Sequence, residues 1–204
     1  MPDHTALSPE HDEERGGVAL LIIDMINRFD FEGGELLLDN ARRIVPKILE
    51  LRSTMDNIGA PTIYVNDNFG EWHSEKSKLV ESAAECAPDV IAELAPRETD
   101  YFVIKAQLSG FYSSNLPILL PKLGASRLVL TGVAADICVL FTAADAHMRD
   151  YVIWTPSDAV ASESETRKAS ALDLMSQHLG AEIAPISELN LSSWLSGLDE
   201  QGVR

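Results

Sequence analysis

Six short apolar segments alternate with helical patterns along most of this 204-residue chain. The segments are rich in β-branched residues and bounded by turn-forming residues, so each predicts a buried strand. These strands are predicted near residues 18–24, 61–67, 100–105, 127–133, 151–155 and 182–186. Apolar residues at helical spacing predict helices that include residues 39–57, 136–150 and 163–179. This alternation predicts a Rossmann-like, three-layer α/β/α fold, with helices on both faces of a six-stranded, mostly parallel sheet.

The length of the chain suits one domain with a full hydrophobic core and is short for two. Residues 1–17 are polar and acidic and end in two glycines, so a mobile tail is predicted there. A single domain is predicted over residues 18–197, followed by a short C-terminal tail over residues 198–204.

Composition narrows the partners that the protein can have. The net charge of −16 and the pI of about 4.6 argue against nucleic acid or an anionic membrane as a partner. No apolar run approaches the roughly 20 residues of a membrane span, and no secretory signal is visible. Two cysteines, Cys86 and Cys138, make no disulfide framework, so reduced thiols and a cytoplasmic location are expected.

Cys138 lies where a predicted strand gives way to a predicted helix. The strand covers residues 127–133, and helical spacing begins near Asp136. A thiol at this point meets unpaired backbone N–H groups and the positive end of the helix dipole, and both favour the nucleophilic thiolate. The plainer alternative is that Cys138 is a small buried hydrophobic residue.

Two further ionisable residues end predicted strands. Asp24 closes the first strand, and Lys105 closes the third. In an open parallel sheet, ligands bind outside the carboxyl ends of the strands, at the point where the strand order reverses. An acid, a base and a thiol are therefore expected to converge on one edge. Taken singly, Asp24 could cap a loop, and Lys105 could be a solvated strand end.

Two long connections, over residues 25–39 and 66–100, follow strands and are suited to shaping a pocket. Their aromatic residues could equally anchor the loops to the core or pack a subunit interface. The substrate-binding residues predicted from these connections and from the later motifs are Phe29, Asn68, Trp72, Phe111 and Ile137.

Several common site motifs are missing from the sequence. There is no glycine-rich dinucleotide or P-loop motif, and no G-x-S-x-G nucleophile elbow. The five histidines are scattered without the spacing of metal ligands, and one imidazole, His73, near Asp67 is too little for a zinc site. We therefore expect neither a cofactor nor a bound metal.

Three separated motifs resemble the isochorismatase-like cysteine hydrolase superfamily, and the resemblance runs from Val18 to about Leu189. Leu21-Ile-Ile-Asp-Met-Ile-Asn-Arg-Phe29 is similar to an apolar strand ending in Asp-Met-Gln-Asn-Asp-Phe. Lys105-Ala-Gln-Leu-Ser-Gly-Phe111, followed by Asn115, is similar to the Lys-x-x-x-Ser-(Ala/Gly)-Phe signature. Leu130-Thr-Gly-Val-Ala-Ala-Asp-Ile-Cys-Val139 is similar to the third signature.

The resemblance implies a nucleophilic Cys138, a general base Asp24 and an electrostatic partner Lys105. It also implies a cis peptide bond between Val133 and Ala134, which turns the Ala134 N–H toward the Cys138 N–H to form an oxyanion hole. The expected activity is metal-independent cleavage of a C–N bond in a small amide, carbamoyl or ureido compound. A homo-oligomer, either a dimer or a tetramer, is also expected, as is common in this superfamily.

The chain departs from the family pattern in two places. Ile26 and Arg28 stand where the first motif usually has Gln and Asp, so the substrate of the protein does not follow from the family. The Asp-x-His metal pattern of nicotinamidases is also missing, because Asn66-Asp-Asn-Phe-Gly-Glu-Trp72 occupies that region. A nicotinamidase is therefore disfavoured.

Two alternatives to the cysteine hydrolase remain. The first is vinyl-ether hydrolysis that uses Asp24 as an acid, with Cys138 as a bystander. Isochorismatases proper keep the Asp and the Lys but lack the nucleophilic Cys, so Cys138 favours amide-type chemistry. The second is a non-catalytic or thiol-redox protein on the same fold. Cys86 lies in a different loop or helix, which weighs against a redox pair.

Overall fold

The computed structural model describes residue 12, residues 16–70, residue 72 and residues 75–196. The two predicted tails lie almost wholly outside these residues. The strands are β1 (Gly17–Ile23), β2 (Thr62–Asp67), β3 (Tyr101–Lys105), β4 (Ala125–Val133), β5 (Val152–Trp154) and β6 (Val160–Ala161). The α-helices are α1 (Gly34–Ile58), α2 (Lys76–Cys86), α3 (Pro88–Leu94), α4 (Leu116–Lys122), α5 (Leu140–His147), α6 (Glu165–Leu179) and α7 (Leu191–Ser196). A short π-helix, Ala135–Val139, precedes α5.

The strands form one six-stranded parallel sheet, as predicted. Its order is β3-β2-β1-β4-β5, and β6 pairs with the end of β4. The chain runs outward from β1 through β2 to β3 and then returns to β4 on the other side of β1. The strand order therefore reverses between β1 and β4, which is where a parallel sheet opens a crevice for ligands.

Two hydrophobic clusters cover the two faces of the sheet. Alternate residues of β1 supply them, with Leu20 and Ile22 on one face and Leu21 and Ile23 on the other. The first face packs against α1, α2 and α3, and the second packs against α4, α5 and α6. This arrangement is the predicted three-layer fold. Among the helices within the described residues, none has both the length and the apolar character needed to cross a bilayer.

The sixth strand is not the one that the sequence predicts. The segment over residues 182–186 contributes only an isolated bridge between Glu182 and Trp154. The carboxylate of Glu182 accepts the N–H groups of Ile183 and Ala184, each at 2.9 Å, and Pro185 has no N–H to donate. These N–H groups are therefore not available to pair with a neighbouring strand. The sixth strand is instead Val160–Ala161, which is too short to show a strand pattern.

The helices differ from prediction mainly at their ends and in the long connections. Helix α1 begins at Gly34 rather than near residue 39, and α6 begins after Ser164, whose hydroxyl accepts the Arg167 N–H. The predicted helix over residues 136–150 is split into the π-helix and α5. The long connection over residues 66–100 contains both α2 and α3.

Candidate active site

Asp24 is the first residue after β1, at the reversal of the strand order. Its backbone has a φ of +50°, in the left-handed region, and its N–H donates to the carbonyl of Val65 at 3.0 Å. The residue is only 4% exposed. This turn directs the carboxylate along the carboxyl edge of the sheet instead of continuing the strand.

Lys105 brings the three predicted residues together. Its side chain is completely buried, and its Nζ lies 2.9 Å from Asp24 Oδ2 and 3.6 Å from Cys138 Sγ. The Cys138 thiol also hydrogen-bonds to Asp24. An acid, a cation and a thiol are therefore in mutual contact at one point of the sheet edge.

Asp67 is a fourth member of this group that the sequence analysis did not assign. Its Oδ2 lies 3.3 Å from Lys105 Nζ, and its backbone N–H donates to Asp24 Oδ1 at 2.7 Å. Asp67 ends β2 and is paired in register with Lys105 on β3. The signal was available, because Asp67 ends its strand as Asp24 and Lys105 end theirs.

Burial dominates the electrostatics of this group. It raises the pKa of the Asp24 carboxyl, and Lys105 together with the hydrogen bonds to Asp24 offsets only part of this effect. Burial alone would lower the pKa of Lys105, but its interactions with the neighbouring Asp24, Cys138 and Asp67 outweigh this effect, so the pKa of the ammonium is raised. Lys105 is therefore a fixed positive charge and not a proton acceptor.

Two features of the structure oppose the thiolate that the helix terminus favours at Cys138. Burial, and next the repulsion of Asp24, raises the pKa of the Cys138 thiol, and the attraction of Lys105 does not reverse the shift. A thiol that is partly buried beside a carboxylate is held neutral, whatever the helix terminus contributes. The site at rest therefore pairs a thiol with an adjacent proton acceptor.

The segment that carries Cys138 is an unusual turn. The peptide bond between Val133 and Ala134 is cis, and the carbonyl of Ala134 accepts the N–H groups of Ile137 at 3.1 Å and Val139 at 3.2 Å. Ala134 and Cys138 thus belong to the same tight turn. That their two N–H groups form an oxyanion hole stays a prediction.

A contact with the end of β6 fixes this turn, and sequence reasoning missed it. Ser162 follows β6 and is 2% exposed. Its hydroxyl donates to Asp136 Oδ1 at 2.5 Å and accepts the Asp136 N–H at 3.3 Å. Because Asp136 is two residues before Cys138, this contact ties the nucleophile's turn to β6.

The structure accounts for the two departures from the first motif. The Ile26 side chain is fully buried, while its N–H and its carbonyl bond to the side chain of Asn66, at 3.1 and 2.8 Å. The Arg28 guanidinium pairs with Asp30 at 2.7 Å and donates to the Ser82 hydroxyl at 2.8 Å. These contacts attach the loop after Asp24 to β2 and to α2.

Replacing Asn66 by leucine is expected to destabilise the fold and to loosen the loop after Asp24. The change leaves the N–H and the carbonyl of Ile26 buried without partners, at a cost of about 1–3 kcal/mol for each group. Urea unfolding measures the loss. Thr62→Val is a matched control on the same strand, because the buried Thr62 hydroxyl bonds to none of the described residues. This control is expected to cost little, and equal losses in both variants would contradict the role of Asn66.

The residues predicted to bind substrate fall into three groups. Phe29 and Phe111 are 4% and 3% exposed, and Phe111 packs on Tyr151 with ring centroids 5.8 Å apart. Their rings belong to the two core clusters, and their assignment as substrate contacts stays a prediction. Asn68 is 7% exposed and bonds to the Gly70 N–H at 3.0 Å, so it shapes a turn. Trp72 and Ile137, at 77% and 37% exposed, remain free to contact a substrate.

Within the part of the chain that the structure describes, no group of three or more His, Cys, Asp or Glu side chains is placed to hold a metal ion. His73, the histidine nearest to the predicted site, lies outside the described residues.

This parallel α/β fold, with Asp24, Lys105 and Cys138 meeting at the switch point, is that of the isochorismatase-like hydrolases. The Isochorismatase domain model matches residues 18–187, so the chain belongs to the isochorismatase family. An uncharacterized isochorismatase family protein, YaaI of Bacillus subtilis, is 44% identical over 166 residues, which cover 81% of this chain and 92% of that protein.

Two further relatives are amide-cleaving enzymes by name. The crystal structure of N-carbamoylsarcosine amidase from Thermoplasma acidophilum has a TM-score of 0.67 and 32% identity, and the match covers 85% of this chain and 99% of that one. The ureidoacrylate amidohydrolase RutB of Stutzerimonas stutzeri is 27% identical over 161 residues, which cover 65% of each chain. The protein is a hydrolase, as predicted.

Proposed function

We propose that the protein is a metal-independent cysteine hydrolase that cleaves a C–N bond of a small amide, carbamoyl or ureido compound. The observation that carries the proposal is the contact of a fully buried Lys105 ammonium with both the Asp24 carboxylate and the Cys138 thiol. Two similar proteins, an N-carbamoylsarcosine amidase and a ureidoacrylate amidohydrolase, support amide-type chemistry.

The first step is attack by the thiol on the carbonyl carbon. Asp24 accepts the thiol proton as the Cys138 Sγ forms its bond to carbon, and the carbonyl electrons move onto oxygen. The resulting oxyanion is held by the N–H groups of Ala134 and Cys138. In other hydrolases one such donor contributes roughly 3 kcal/mol to transition-state stabilisation.

The second step expels the amine, and hydrolysis of the thioester then regenerates the free enzyme. Asp24 returns its proton to the departing nitrogen as the C–N bond breaks, which leaves a thioester on Cys138. Asp24 next accepts a proton from water as the water oxygen attacks the thioester. The thiol leaves with that proton, and a carboxylic or carbamic acid is released. Lys105 balances the negative charge that passes between Asp24 and Cys138.

Ammonia release from a panel of small primary amides, carbamoyl and ureido compounds tests the proposal. Turnover by the wild-type protein is expected for at least one class, and quenching the reaction with acid should preserve the thioester on Cys138 as an added acyl mass. Turnover without any acyl mass on Cys138 during the steady state, combined with full activity of a thiol-free variant, would overturn the proposal.

The pH dependence of the reaction should report Asp24. Below its pKa this residue carries a proton and cannot accept one from Cys138, so kcat/KM is expected to fall as the pH is lowered. Because burial raises the pKa of Asp24, the midpoint should lie above the ordinary value of 3.8. Initial rates on a neutral substrate across the acidic range give the midpoint. A midpoint at the ordinary value, or a limb that persists in Asp24→Asn, would contradict this assignment.

A further inference from the structure

The cation at the centre of the site lies between two carboxylates. Lys105 Nζ contacts Asp24 Oδ2 at 2.9 Å and Asp67 Oδ2 at 3.3 Å. The other oxygen of Asp67 accepts the Phe69 N–H at 2.7 Å, so this carboxylate is fixed in place while its side chain remains 31% exposed. The Lys105 side chain has no exposed surface and cannot contact a substrate anion directly.

A second group at the same edge of the sheet also consists of one cation and two carboxylates. Arg167 lies 2.5 Å from Glu163 and 3.9 Å from Asp136. Glu163 is two residues past β6, which runs parallel to β4, and Asp136 is two residues before Cys138. Both carboxylates therefore lie beside the turn that carries the thiol.

Each group has one more carboxylate than it has cations. In the first group, Asp24 and Cys138 share one proton, so their combined charge is the same whichever residue holds it. With Asp67 and Lys105 included, the net charge is −1, and the second group adds another −1. The nearby pair of Arg28 and Asp30 is balanced. A substrate that carries a carboxylate would thus enter a region of excess negative charge.

We propose that the site selects neutral or cationic substrates over carboxylate-bearing ones, and that Asp67 and Glu163 are the residues that set this selectivity. The inference rests on the proposed function, because it treats Cys138 as the reacting group. It narrows the substrate class to amides, carbamates or ureas whose remaining groups are uncharged or positively charged.

Alkylation of Cys138 by two matched reagents tests this inference without a known substrate. Iodoacetamide and iodoacetate react with thiols in the same way, by forming an S–C bond and releasing iodide, and they differ in a carboxamide against a carboxylate. The exposed Cys86 is removed by Cys86→Ser in every sample. Rates at Cys138 are followed by intact mass, and their ratio is divided by the ratio for 2-mercaptoethanol.

The normalised ratio should favour iodoacetamide by about tenfold or more, because one unit charge a few ångströms away in a partly buried site is worth at least that factor. Asp67→Asn and Glu163→Gln should each lower the ratio several-fold. Using a ratio cancels changes in thiol reactivity that act on both reagents. Glu50→Gln removes the same charge from the far half of α1, where Glu50 pairs with Lys47 at 2.9 Å, and should leave the ratio unchanged.

Three other outcomes overturn the inference. A ratio near one, or a preference for iodoacetate, would show that the site does not discriminate against a carboxylate. If the ratio is high but neither Asp67→Asn nor Glu163→Gln lowers it, these two residues do not set the selectivity. Failure of both reagents to modify Cys138 shows that a small neutral electrophile cannot reach the thiol. If the ratio behaves as expected but no amide is cleaved, the proposed reaction fails and the charge selectivity of the site stands.

Discussion

Replacing Cys138 by alanine is expected to lower kcat/KM for amide cleavage by about four orders of magnitude or more, as removal of a catalytic nucleophile does in other hydrolases. The variant keeps Asp24 and Lys105 in contact but has no atom that can form the acyl-enzyme. Protein stability should change little, because Cys138 is only partly buried. Steady-state ammonia release and urea unfolding, measured on the same preparation, separate the two effects.

Three further variants test whether the loss of activity comes from the loss of the nucleophile. Cys86→Ser removes the other thiol, which is exposed at the end of α2, and should retain full activity. Asp24→Asn should be nearly as inactive as Cys138→Ala, since no proton acceptor remains. The double variant should be little worse than either single one, because the two residues act in one step. Vinyl-ether hydrolysis by Asp24 also predicts an inactive Asp24→Asn, but it predicts that activity survives the loss of Cys138.

Replacing Lys105 by methionine is expected to reduce both stability and activity. The change leaves Asp24 buried beside Asp67 with no cation between them, and breaking a buried ion pair in this way costs about 3–5 kcal/mol. Because burial raises the pKa of Asp24 and Lys105 partly offsets that effect, loss of Lys105 should raise the pKa further and weaken Asp24 as a proton acceptor. Urea unfolding and ammonia release measure the two losses.

The double variant Lys105→Met/Asp24→Asn separates the electrostatic effect from packing. It removes one positive and one negative charge with side chains of similar size, so it should regain part of the stability lost in Lys105→Met. It should remain inactive, because neither the base nor the cation is present. If the double variant were no more stable than Lys105→Met, the cost would lie in packing and not in an uncompensated carboxylate.

The sequence predicted the parts of the site that depend on the sheet alone. Asp24 and Lys105 end apolar strands, and the carboxyl ends of parallel strands share one edge, so their meeting with Cys138 follows from the chain order. Asp67 obeys the same rule. The sequence analysis considered it only as a metal ligand, which is why its contact with Lys105 was missed.

Features that depend on tertiary contacts could not be predicted in this way. Burial and the charge of Asp24 raise the pKa of the Cys138 thiol, and neither can be read from a local sequence pattern. The contact of Ser162 with Asp136 joins residues 26 positions apart through a two-residue strand. Phe29 and Phe111 lie in loops by sequence, yet the two clusters beside the sheet enclose them.

The register of β2 and β3 has a consequence for how the enzyme loses activity on heating. Asp67 and Lys105 are ladder partners, and Asp24 follows the strand between β2 and β4. These three groups therefore lie at the ends of adjacent sheet strands, and core strands are the elements whose opening typically requires a free energy close to that of global unfolding. The alignment of the charged groups should persist while surface loops fray, so inactivation and melting of the sheet are one event.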